Sequence, residues 1–210
     1  MSAGAHSNNG PEWVATLVEL IRRTATDVPD DVVAALRRAQ TREQGTSRAG
    51  EILQTILENM ELAREGSIPV CQDTGTLNFF WKTPRGSDHV MLEEATRSAV
   101  AQATALGFLR RNTIESLSGA SLDDNLAPGC PVLHFEQGDG TGIEVWLLLK
   151  GGGCENMSAQ YSLPDGTLGA GRDLAGVRAC VLHAVWRAQG MGCAPGILGV
   201  CIGADRAEGY

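Results

Sequence analysis

Three short segments of this 210-residue chain hold the residue types with the most chemistry to offer. In Pro69-Val70-Cys71-Gln72-Asp73-Thr74-Gly75 a thiol, an amide, a carboxylate and a hydroxyl follow one another at a strand-to-loop junction. A Cys71 thiolate could bind a metal, Gln72 could hydrogen-bond a polar substrate, and Asp73 could move a proton. The same residues also suit a plain turn, with Asp73 and Thr74 satisfying local amides and Cys71 filling the core. In Lys150-Gly151-Gly152-Gly153-Cys154-Glu155-Asn156, three glycines expose successive backbone N–H groups. They could form a nest for a carboxylate or phosphate, or simply a flexible strand exit. The segment matches neither the phosphate-loop pattern nor GxGxxG. In Gly192-Cys193-Ala194-Pro195-Gly196, a cysteine is flanked by glycines and followed by a proline turn. That arrangement leaves room for a bulky inorganic group, or marks a helix C-cap with a proline stop.

The other candidates read as packing. His183 and Cys180 fall within one apolar helix, His134 alternates with apolar residues in a strand, and Cys130 precedes Pro131 in a loop. No CxxC, GxSxG or HExxH occurs, so zinc-ribbon, thioredoxin-type, serine-hydrolase and zincin readings lack their patterns.

The elements that must position these residues follow from periodicity. Three amphipathic helices are expected first: one opened by Pro11, one after Pro29 with Asp30 and Asp31 in its first turn, and one from near Ser47 to Gly66. The last should turn Ile52, Ile56, Met60 and Leu62 inward. LNFFWKTP reads as a strand closed by Pro84, and MLEEATRSAVAQATALGFLRR as a long helix with its arginines late. CPVLHFEQ and GIEVWLLLK read as a hairpin around GDGTG. LAGVRACVLHAVWRAQG reads as a helix and PGILGVCIGAD as a buried strand. The expected product is an α/β fold: a helical N-terminal segment packed on a mixed α/β body, its strand order not readable from the sequence.

Composition bounds the function. The chain is 43% hydrophobic and 20% charged, ordinary for a globular protein with ample length for a core. A net charge of −8 and few aromatics argue against a nucleic-acid partner. No apolar run approaches the ~20 residues that span a bilayer, and the polar first ten residues show no secretory leader. A cytoplasmic protein without a disulfide framework is therefore expected.

Taken in order, IPVCQDTGT, LRRN, LLLKGGGCENMS and GCAPGILGVCIGADRAEGY resemble the α-subunit, or N-terminal domain, of the class I fumarase and L-tartrate dehydratase family of iron–sulfur hydro-lyases. The resemblance runs from about residue 15 to Tyr210. It implies a flexible terminus over residues 1–10 and an α-type catalytic domain over 11–210, incomplete at its C-terminal end. It also implies a [4Fe-4S] cluster held by three cysteines, with Cys71 the first ligand and Cys193 the second. Thiolates are the soft ligands such a cluster takes. The family's third cysteine lies beyond the point where this sequence stops. Cys154 stands where relatives carry Ser or Cys and Cys201 where many carry Gly, so neither is counted as a ligand.

By the same resemblance Gln72 and Asp73 face the substrate, with Asp73 the candidate proton carrier, and Gly152 and Gly153 offer N–H groups to a carboxylate. A β-subunit supplies basic residues and the base. The implied activity is reversible hydration or dehydration of a small dicarboxylate, fumarate/malate or tartrate, in a homo- or hetero-oligomer. This chain is expected to be inactive without the β-subunit and the further stretch. The alternative is a non-catalytic remnant that binds small carboxylates or regulates a partner.

Overall fold

A computed structural model describes residues 10–43, 47–193 and 196–203. Residues 1–9, where a flexible terminus was expected, lie outside these, as do Ala194 and Pro195 of the Cys-x-Pro turn. The chain divides into two compact units, Met1–Lys150 and Gly151–Tyr210.

In the first unit α1 (Gly10–Thr26), α2 (Asp30–Arg42) and α3 (Arg48–Gly66) precede β1 (Thr76–Pro84) and α4 (His89–Ala105). β2 (Val132–Gly138) and β3 (Glu144–Lys150) complete it. The helix boundaries have local causes. The Ser47 hydroxyl accepts the Gly50 N–H at 3.0 Å, and the Asp88 carboxylate accepts that of Met91 at 3.0 Å. α4 stops before Arg110 and Arg111, which the sequence reading had placed in its last turns. Gly107, at φ 81°, takes the left-handed position, and Phe108 N–H closes back on Ala103 O at 3.0 Å.

The sheet is mixed, in the order β2-β1-β3, with β1 parallel to β2 and antiparallel to β3. The hairpin expected around GDGTG is therefore corrected: its two strands are not neighbours, because β1 lies between them. Adjacent strands lie about 4.8 Å apart, so residues 139–143 need bridge only about 10 Å, well within their reach.

Alternation along β1 turns Leu77, Phe79 and Trp81 to one face, where all three are fully buried. Leu17, Ile21 and Ala25 of α1 pack there with Leu92, Ala95, Ala99, Val100 and Ala103 of α4. Trp81 meets Trp13 edge-on at 5.7 Å and stacks on Phe135 at 6.2 Å. On the opposite face Phe80 stacks on His134 at 4.7 Å.

α2 and α3 pack on one another. Their buried residues are Leu36, Met60 and Ala63, while Ile52 and Leu62 are exposed, contrary to the expected inward set. The buried seam of α3 is narrow, the i, i+3 pair Met60/Ala63, which lies on one side of the helix.

In the second unit a single helical turn, α5 (Gly152–Glu155), is followed by irregular chain and α6 (Leu174–Ala188). The Asp173 carboxylate caps α6, accepting Gly176 N–H at 2.7 Å. Gly176 is buried so tightly against Gly171 that a Cβ there would lie 2.0 Å from Gly171 O. The strand expected in PGILGVCIGAD is not formed: described residues 196–203 are irregular, with Ile197, Leu198, Val200 and Ile202 exposed. An apolar run becomes a strand only when a neighbour offers hydrogen-bond partners, and none is present among the described residues. No described helix is long and apolar enough to cross a membrane.

Candidate active site

The Cys71–Gly75 loop is anchored at both ends. Just before it, Val70 N–H donates to Ala25 O at 2.9 Å, and Val70 O accepts the Asn59 side-chain amide at 2.8 Å. The C-terminal end of α1 and the body of α3 thus fix the entry to the loop. At the exit Thr74, which is buried, exchanges two bonds with Arg110. Its hydroxyl accepts the Arg110 N–H at 2.7 Å and donates to Arg110 O at 3.2 Å. Gly75 then turns at φ 72°, a conformation open to a residue without Cβ, and delivers the chain into β1.

Between these anchors the reactive groups are oriented by short-range bonds. Asp73 Oδ1 accepts the Gly75 N–H at 2.8 Å and the Asn112 side-chain amide at 3.2 Å. The same Asn112 amide reaches Gln72 O at 3.2 Å. The Asp73 N–H donates to Cys71 Sγ at 3.4 Å. Cys71 and Gln72 are themselves exposed. Asp73 and Thr74 accept nearby backbone N–H groups, as the turn reading expects, but Cys71 is exposed rather than filling the core.

Behind the loop stands Asn125, fully buried, at φ 58°. Its amide donates to Arg110 O at 2.8 Å and to the Thr104 hydroxyl at 3.1 Å, and its Oδ1 accepts the Thr113 N–H at 3.2 Å. Asn112 and Asn125 were not singled out from the sequence. Asn112 stood only inside the LRRN segment, and Asn125 in a loop rich in polar residues.

Antiparallel pairing makes Thr76 and Lys150 register partners. Lys150, the first residue of the glycine-rich motif, is therefore at the end of the sheet where the Cys71–Gly75 loop enters it. Cys130 lies on the same unit, where its thiol donates to Asn125 O at 3.6 Å. Burial pushes that thiol above the ordinary range, so it is a packing residue, as read.

In the second unit the three glycines do not form a nest. Gly151 is extended, and Gly152 and Gly153 open the turn of α5, whose Cys154 and Glu155 N–H groups both bond to Gly151 O. This turn packs on Gly192-Cys193. Cys154 Sγ lies 3.6 Å from Cys193 O, and a Cβ on Gly153 would lie 3.5 Å from Cys193 Sγ. Cys154 and Cys193 are exposed, whereas Cys180 is buried within α6. His183 has a partner, its Nδ1 lying 2.8 Å from the Tyr161 hydroxyl.

The donor chemistry fits an iron–sulfur group at Cys71 and at Cys193. Both thiols are exposed, and that of Cys71 lies beside a backbone N–H. Among the described residues no group of three or more metal-ligating side chains is assembled.

With this geometry in view, the sequence model of the Fumarate hydratase (Fumerase) family matches residues 14–210, and the chain belongs to that family. Among its relatives is a Geobacillus stearothermophilus protein named "Putative fumarate hydratase class I", 48% identical over 198 residues. That match takes in 93% of this chain and 38% of the relative. The L(+)-tartrate dehydratase subunit alpha of Escherichia coli (strain K12) is 34% identical over 154 residues, covering 70% of this chain and 48% of the relative. The chain thus spans half or less of the length of each of these two relatives.

Proposed function

We propose that this chain is the α-type component of a cytoplasmic [4Fe-4S] hydro-lyase that adds water to, or removes it from, a small dicarboxylate. Fumarate/malate and tartrate are the substrates that the names of its relatives suggest, and a β-subunit completes the active site. The observation that carries this reading is the Cys71–Gly75 loop, held at both ends, with a thiol and a braced carboxylate on adjacent turns of backbone. Cys71 and Cys193 are the chain's cluster ligands. When bound, the cluster supplies a Lewis-acidic iron toward the substrate's hydroxyl and carboxylate oxygens.

The chain's own residues do the rest. Gln72 presents an amide to a polar group of the substrate. Asp73 is the proton carrier, and the Gly75 N–H and the Asn112 amide orient its carboxylate through Oδ1. Gly152 and Gly153, in the first turn of α5, offer backbone N–H groups to a substrate carboxylate. The Thr74–Arg110 exchange keeps the loop from drifting, which matters because a misplacement of about 1 Å costs a rate on the order of 100-fold.

The test is anaerobic reconstitution with iron and sulfide, with and without the β-subunit. Brown protein that turns over fumarate or tartrate only with the β-subunit is expected. Cys71→Ser and Cys193→Ser should each lower iron uptake. Colourless protein, indifferent to both substitutions, would remove the cluster assignment. Dicarboxylate binding without turnover in the complete assembly would favour the non-catalytic remnant instead.

A further inference from the structure

We propose that Asn59 is a positioning residue for Cys71: it sets the plane of the peptide from which the thiol projects, and so governs how firmly Cys71 holds iron. The claim about iron rests on the reading of Cys71 as a cluster ligand. The Asn59 side-chain amide donates to Val70 O at 2.8 Å, across 11 positions of sequence. That oxygen belongs to the Val70–Cys71 peptide, a rigid plane that also contains the Cys71 N and Cα. The preceding peptide is held as well, since the Val70 N–H donates to Ala25 O at 2.9 Å. With both planes pinned, the backbone torsions at Val70 are set and the Cys71 Cα is delivered to one place. The Asp73 N–H, bonded to Cys71 Sγ at 3.4 Å, then restrains the side chain from the other direction.

Asn59 can act as a fixed point because the end of α3 that carries it is docked. Met60 beside it and Ala63 one turn on are buried. Ile68 N–H closes on Ala63 O at 3.1 Å. Arg64 pairs with the Asp27 carboxylate and donates to Val28 O at 3.4 Å, just past the end of α1. The two groups that hold residue 70, Ala25 O and the Asn59 amide, thus stand on helices tied to one another close by. Asn59 itself is exposed, so removing its amide acts on Val70 rather than on the core.

The test uses the full chain, reconstituted anaerobically with iron and sulfide, and follows iron release to a ferrous chelator. Asn59→Ala and Asn59→Asp, the second keeping the shape without the donor, should each release iron about tenfold faster than wild type, the worth of one hydrogen bond. Asn59→Gln keeps an amide donor and should recover part of that loss. In the metal-free chain, amide exchange at Val70 and Cys71 should quicken about tenfold in Asn59→Ala, with α1 and β1 unchanged. Equal iron release from wild type and both variants overturns the proposal, provided that iron protects wild-type Cys71 from iodoacetamide. Faster exchange spread over α1, α3 and β1 also overturns it, since that marks general loosening. If wild type takes up no iron, or iron leaves Cys71 open to iodoacetamide, the ligand reading fails and the claim about iron falls with it. Exchange confined to Val70 and Cys71 then still decides whether Asn59 sets that peptide.

Discussion

The Asn112 side-chain amide bonds to Asp73 Oδ1 and to Gln72 O, each at 3.2 Å, so one side chain fixes both the carboxylate and the backbone beside it. Asn112→Ala should leave the thermal midpoint nearly unchanged, because the group is exposed. Under the proposed function it should lower kcat/KM about tenfold, the worth of one hydrogen bond to a charged group. Asn112→Asp should be worse, since it sets a second carboxylate against Asp73. Steady-state rates with the β-subunit present decide this, and an unchanged rate in Asn112→Ala would mean that Asp73 needs no brace.

Asn125 should matter chiefly for stability. Asn125→Ala removes three hydrogen bonds from a fully buried site and leaves an alanine at φ 58°. Together these should cost about 2–4 kcal/mol in urea unfolding. Asn125→Gly relieves the backbone strain and should recover part of that loss.

Gly176 tests the second unit. A methyl group there would have to lie 2.0 Å from Gly171 O and 2.8 Å from Gly171 N, both of them backbone atoms. Gly176→Ala should therefore destabilise this unit by about 2 kcal/mol or more. Amide hydrogen exchange read separately over α6 and over β1 should show faster exchange in α6 alone.

Glu19 offers a pH-dependent test. Side-chain hydrogen bonds from Arg22, then Arg23, hold its carboxyl at about 2 against an ordinary 4.5. The folded value lies below the unfolded one, so its contribution is full above pH 4.5 and is lost as pH falls toward 2. Carboxyl NMR should place the Glu19 midpoint near 2, and replacing both arginines by alanine should return it toward 4.5. Because the cluster is exposed, added salt should move it the same way.

The N-terminal helices were legible because their periodicity and boundaries are local: Leu17 and Ile21 lie four apart, and Pro29 and Ser47 stand where helices begin. The Cys71–Gly75 loop was legible as a pattern of functional groups. Its brace was not, because Asn112 acts across nearly forty residues through a side chain of a common type. The false hairpin and the missing strand share one cause. Glycine-rich turns and apolar runs report what a segment tolerates, while pairing is decided by which other strand arrives. Here β1, read correctly as a strand, is that arrival between β2 and β3.

That central place has a consequence during synthesis. Phe79 and Trp81 leave the ribosome long before either neighbour exists, since Asn78 awaits Val132 and Thr76 awaits Lys150. Until residue 138 has emerged β1 has both edges open, and one edge stays open until residue 150, the condition in which nascent chains associate wrongly. A translational pause between residues 84 and 132 prolongs that exposure, and a pause after 150 does not. Holding chaperones should therefore engage this chain over a window set by its topology rather than by its length.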